Sequence, residues 1–134
     1  MLMVKHTLPV ALIALGLGLA GCVMKPTEIT RLTPNREFRN NTGLYPLEAA
    51  VASKQQTLRW DSIKASVVVG SEVYPMRMTS LMTNRWETLV PIPPSTSTVS
   101  YRFQFDYLYN AFGSPPRADT LVSPQYKLQI VEKP

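Results

Sequence analysis

The chain is poor in the side chains that most protein chemistry depends on. It has one cysteine, Cys22, and one histidine, His6, in 134 residues. That scarcity excludes a disulfide framework, Cys/His and Ser/His nucleophilic pairs in the body of the chain, and Cys- or His-rich metal sites. The nine acids are scattered, and Asp61, Glu72, Glu87, Asp106 and Asp119 occur singly, with no spacing that sets two on one local face as an acid/base pair. Glycine-rich phosphate loops are missing too: Gly16 and Gly18 sit in the leading apolar run and the later glycines are isolated. There is no block of like charges and no Arg/Lys-rich arm, so nucleic acid is not an expected partner. Neither catalysis nor a cofactor is expected.

Long apolar runs are confined to the start. Lys5 gives a positive beginning, and Leu8 to Ala20 is mainly apolar and closes in small residues, which is the anatomy of a secretory signal over residues 1–21. A permanent span needs roughly 20 apolar residues, so this run is short for one. Immediately after it comes Leu19-Ala20-Gly21-Cys22. This stretch resembles the lipobox of bacterial lipoproteins at all four positions. The resemblance implies cleavage before Cys22, diacylglycerol on its thiol and an acyl group on its amine. A lone cysteine in an exported chain has no intramolecular partner, and a lipid anchor gives it a use. Acyl chains contribute about 0.8 kcal/mol per buried methylene, so several on one residue hold a small domain firmly. In that family an Asp after the cysteine often retains the protein in the inner membrane of Gram-negative cells. Here Val23 follows, which points to the outer membrane.

About 112 of the 134 residues follow Cys22, enough for one domain with its own core. Lys5 leaves with the signal, so 13 of the 14 basic side chains face nine acids. That excess favours anionic headgroups or acidic glycans, though it is most often a solvated surface. Residues 22–43 read as the lipidated N-terminus and a polar tether. Pro26, Pro34, Asn35, Arg36, Arg39 and Asn40 give little apolar periodicity, and Asn40-Asn41-Thr42-Gly43 has turn chemistry. Such a stretch lets the domain sit clear of the headgroups. A short edge strand around Glu28 to Leu32 is compatible with the same residues.

From Leu44 to Pro134 the signals are mainly β. Tyr45 to Val51 reads as a strand, and Thr57 to Asp61 as a connection with room for one helical turn. Ile63 to Val69 and Val73 to Met76, separated by Gly70-Ser71-Glu72, form a hairpin whose second arm carries Pro75 and belongs at an edge. Arg85 to Val90 puts Trp86, Thr88 and Val90 on one face, and Pro91, Pro93 and Pro94 end it. The clearest strand is Ser100 to Asn110, where Tyr101, Phe103, Phe105, Tyr107 and Tyr109 alternate with mostly polar residues; so long a period of two is foreign to a helix. Ala111 to Asp119, with Pro115 and Pro116, reads as an exposed loop, and Tyr126 to Val131 as the closing strand. Six or seven short strands with proline-rich connections predict an all-β, immunoglobulin-like two-sheet sandwich over residues 44–134.

Parts of this region, Asn84-Arg85-Trp86-Glu87, Pro91-Ile92-Pro93-Pro94 and Tyr101-Arg102-Phe103, are similar to glycogen- and starch-binding modules of immunoglobulin-like fold. The similarity covers roughly a quarter of the chain and bears on fold more than ligand, and the Asn-Trp segment those modules set against sugar is missing around Val69 to Glu72. Candidate contact residues are Trp60 and Trp86, although a core is the commoner place for each, then Tyr107, Tyr109 and Arg117. The expected function is a lipid-anchored module that docks another envelope protein through a sheet edge or the loops around Pro91 to Thr98 and Phe112 to Ser123. A glycan-binding module is the alternative, and a periplasmic inhibitor or immunity lipoprotein also fits the size and address.

Overall fold

The computed structural model describes residues 26–134; the stretch read as a signal and Cys22 lie outside the described residues. Within them the chain forms ten strands and no helix: β1 (Thr27–Arg31), β2 (Arg36–Phe38), β3 (Leu44–Ser53), β4 (Leu58–Val69), β5 (Glu72–Pro75), β6 (Arg77–Met78), β7 (Arg85–Pro91), β8 (Thr98–Ala111), β9 (Ser114–Val122) and β10 (Tyr126–Val131). The strands make two sheets, β1-β3-β7-β6 and β2-β10-β8-β4-β5, with β9 also paired to β8. The period-two pattern decides which faces meet. Tyr101, Phe103, Phe105 and Tyr107 of β8 are buried, as are Tyr45, Leu47, Ala49 and Val51 of β3, while Arg102 is exposed. Trp86 and Val90 of β7 enter the same core, where the Trp86 ring meets Phe105 of the opposite sheet edge-on at 5.3 Å between centroids. Such T-shaped contact is the favoured geometry for aromatic quadrupoles. The molecule is an all-β two-sheet sandwich.

The connectivity supports the expected class. The first sheet has the order A-B-E-D of immunoglobulin-like sandwiches, and the second places β10, β8, β4 and β5 as G, F, C and C′. The N-terminal segment serves both layers: β1 pairs antiparallel with β3, and β2 pairs parallel with β10.

Three stretches differ from the sequence expectation. Residues 27–38, read as part of a tether, are built into both sheets. β1 fits the compatible edge strand near Glu28, but its hold is polar as well as apolar: Thr33 Oγ1 accepts the Glu48 amide at 2.8 Å and donates to the Glu48 carbonyl, and Thr27 and Ser53 hydroxyls meet at 2.7 Å. Hydroxyl pairing of this kind leaves no apolar periodicity to read. Thr57 to Asp61 is mostly strand, since β4 starts at Leu58 and absorbs a bulge between Arg59 and Lys64. The proline-rich stretch after Gly113 is likewise a strand, β9, and not a loop. Pro115 and Pro116 are admissible there because β9 is an edge strand, where a missing amide need not break a ladder.

Candidate functional site

Trp86 is in the core, only 2% exposed, and is no contact residue. The other four candidates gather where β4 begins and the β8/β9 hairpin turns. Tyr109 faces Leu58 on one side and Arg117 on the other, and Tyr107 faces Asp119. Trp60, 40% exposed, occupies the β4 bulge. The bulge is held by Ser62, whose Oγ accepts the Leu108 amide at 2.8 Å and donates to the Arg59 carbonyl, so the ladder is kept while the strand alternation slips. That slip is why a tryptophan two residues beyond buried Leu58 is not itself buried.

The hydroxyl of Tyr107 donates to Asp119 Oδ2 at 3.3 Å. Burial pushes the Tyr107 phenol up from its ordinary pKa, and the nearby Asp119 charge pushes the same way. Tyr107 is therefore a structural residue with its polar end engaged, while Tyr109 is half-buried and Arg117 is exposed. The carboxylates here are used singly: Asp106 Oδ1 accepts Thr120 Oγ1 at 2.6 Å, and Asp119 Oδ1 accepts the Thr120 amide at 2.8 Å. Among the described residues no three His, Cys, Asp or Glu side chains come together.

β9 is the distinctive element of the site. All of its nine residues except Leu121 are exposed, so the strand overhangs the sandwich and only Leu121 packs against the core. β1, β2, β5 and β6, the strands at the other sheet ends, have five, three, four and two residues. Where β9 gives way to β10, Ser123 joins the break to β8: its Oγ accepts the Phe103 amide at 2.8 Å and its amide donates to the Phe103 carbonyl at 2.9 Å. Loop tips near the site add apolar surface, of which the residue patterns offered Phe112 only as the start of a docking loop and Leu81 not at all. Phe112 at the hairpin turn and Leu81 between β6 and β7 are fully exposed, with Met82 beside Leu81 partly so. The available signal was an apolar residue inside turn chemistry, Phe112-Gly113 and Ser80-Leu81-Met82-Thr83-Asn84.

Clefts lie elsewhere. One of about 740 Å³, at the opposite end, is lined by Asn40–Tyr45, Val69, Tyr74 and Pro91–Pro94. Another of about 470 Å³ runs beside Pro46, Pro75, Met76 and Leu89. A basic hollow of about 420 Å³ is lined by Arg31, Arg36, Lys127 and Tyr126, with the Arg31 guanidinium 4.6 Å from the Tyr126 ring centroid. None of the three is lined by Trp60 or Tyr109. The class of protein defined by this arrangement is a two-sheet β-sandwich with a projecting edge hairpin. Comparison with protein-family models, with curated proteins and with solved structures finds no match.

Proposed function

We propose that the chain is a lipid-anchored cell-envelope protein, held through Cys22 in the outer membrane of a Gram-negative bacterium, whose sandwich docks another envelope protein without catalysing a reaction. One observation carries the docking part: β9 is a nine-residue edge strand exposed along nearly its whole length. An unpaired edge offers backbone donors and acceptors to an incoming strand, and alternate side chains give it selectivity. Arg117 on β9 and Arg102 on β8 are exposed and supply charged contacts beside that edge. The lipobox residues Leu19 to Cys22 support the anchor, and the immunoglobulin-like strand order is common among binding modules.

The anchor is tested by palmitate labelling and fractionation of the intact chain and of Cys22→Ala: labelling and membrane association should both vanish in the variant. The docking is tested with a photo-crosslinking residue at Thr120, and at Ser71 on the far hairpin, in native cells. A protein adduct specific to Thr120 is expected, and equal or absent adducts at both positions would refute strand addition. Trp60, exposed in its bulge, favours a glycan-binding module as a second reading. Polysaccharide binding lost in a folded Trp60→Ala variant would replace protein docking by that reading.

A further inference from the structure

The described chain starts at Pro26, and its place in the fold bears on how the domain meets a membrane. The Lys54 amide donates to the Pro26 carbonyl at 2.7 Å, and Thr27 pairs with Ser53, so Pro26 lies beside the β3–β4 connection. The Asn110 amide donates to the Thr57 carbonyl at 2.9 Å, which puts the β8/β9 turn, and Phe112 with it, at this same end. The Val51 amide donates to the Asn84 carbonyl at 2.9 Å, and β7 runs antiparallel to β3, so the turn carrying Leu81 and Met82 also projects there. Three connections from two sheets, and Pro26, thus share one end of the sandwich.

Two of those connections end in large apolar side chains with no cover, Leu81 and Phe112. Leu81 is the more telling. Its φ of 65° is in the left-handed region that favours glycine or asparagine, so neither local backbone preference nor packing accounts for a leucine at this position. The tips belong to different sheets, and each is carried on its own connection. A fluid, flat interface accepts separate apolar tips. Exposed Lys54 and Arg59 lie at the same end and suit anionic headgroups.

We infer that this end of the sandwich rests on the bilayer surface, with Phe112, Leu81 and Met82 inserted at the headgroup–acyl boundary and Lys54 and Arg59 among the lipid phosphates. The inference rests on the lipid anchor proposed for Cys22. Four residue steps from Cys22 to Pro26 span at most roughly 14 Å, so an anchored Cys22 keeps this end next to the membrane. The domain then does not stand clear on a 20-residue tether, because β1 and β2 tie that stretch to both sheets from Thr27 onward.

The test uses the full lipoprotein in vesicles of phosphatidylethanolamine and phosphatidylglycerol. Lipid on Cys22 leaves no free thiol, so Phe112→Cys, Leu81→Cys or Ser71→Cys each takes a single environment-sensitive fluorophore. All three positions are exposed, and each variant is first matched to the parent by circular dichroism. The expected result is blue-shifted emission at 112 and 81, quenched by nitroxide lipids, with water-like emission at 71. Water-like emission at 112 and 81 on a chain whose mass shows lipidated Cys22 would overturn the docking and leave the anchor standing. A mass without lipid would overturn both.

Discussion

Replacing Ser123 by alanine is the sharpest test of how the overhanging hairpin is joined to the sandwich. β8 takes β9 as neighbour down to Gln104, opposite Val122, and β10 from Tyr101, opposite Tyr126. Between those registers Pro124 has no amide to give, and Ser123 Oγ accepts the Phe103 amide at 2.8 Å while donating to the Pro124 carbonyl at 2.8 Å. In Ser123→Ala the Pro124 carbonyl, on an exposed residue, turns to water. The Phe103 amide has no such recourse, because Phe103 is fully buried. An orphaned buried amide costs about 1–3 kcal/mol, so a loss of about 2 kcal/mol is expected. For a domain of this size that lowers Tm by roughly 10 °C. Ser62→Ala removes an equally short bond to the Leu108 amide, but at a part-exposed site where water substitutes, so about 0.5–1 kcal/mol is expected. Urea unfolding of the three proteins with a common m-value decides the matter. A Ser123→Ala loss under about 0.5 kcal/mol, or a larger loss in Ser62→Ala, would refute the reasoning.

The two tryptophans should separate cleanly. Trp86→Ala empties a core position against Phe105 and should cost about 3–5 kcal/mol, whereas Trp60→Ala at the bulge should stay within about 1 kcal/mol, both read by denaturant unfolding. Stability should hold up to about pH 10 and fall beyond it. Burial raises the folded-state pKa of Tyr101 and Tyr107 above the ordinary value of 10.0, so as pH rises the unfolded chain loses these protons first, and the contribution is gone once pH passes the folded values. Tyr101→Phe should make that alkaline fall shallower in a pH series of melts. It should also leave neutral-pH stability unchanged or higher by about 1 kcal/mol, because the Tyr101 hydroxyl is buried without a hydrogen-bond partner. Gly113→Ala should cost about 1 kcal/mol from backbone strain alone, since Gly113 has φ +69° and its Cβ would meet open space; an equal-stability alanine variant would contradict the turn geometry.

What could be read from residues alone follows the physics that made it readable. β8 announces itself because its buried face is aromatic and its other face mostly polar, and β4/β5 because valines flank a glycine turn. Arg85 to Val90 was readable down to the faces, since Trp86 and Val90 are buried and Leu89 is exposed. β1 and β2 were nearly silent because hydroxyls, a parallel pairing to a distant strand and a half-buried Ile29 hold them. β9 was hidden for the opposite reason: a strand with Leu121 alone packed inward has almost no hydrophobic pattern, and its two prolines imitate a loop. Of the candidate contacts, Tyr107, Tyr109 and Arg117 converge because one hairpin carries them all. Trp60 and Trp86 could not be told apart without the bulge, which is set by the serine at position 62 and not by either indole.

The bilayer end and the free edge of β9 constrain each other. β9 starts at Ser114, beside the tip that bears Phe112, and leads away from that end, so with Phe112 at the headgroups its edge rises along the membrane normal. After Ser114 come Pro115 and Pro116, which cannot donate backbone hydrogen bonds. The stretch able to pair is Arg117 to Val122, about 20 Å of strand at roughly 3.3 Å per residue, and it begins about 10 Å above the turn. A partner strand is therefore admitted from the aqueous side and refused at the headgroups, where exposed backbone would otherwise compete for lipid. Photo-crosslinkers moved one at a time along β9 in the anchored protein should show this as a gradient. Adducts are expected at Ala118, Thr120 and Val122 and should be weak or missing at Ser114, with both prolines kept in place. Strong adducts at Ser114, with little at Thr120, would mean that the partner grips the hairpin tip, leaving neither strand addition along β9 nor a bilayer under Phe112.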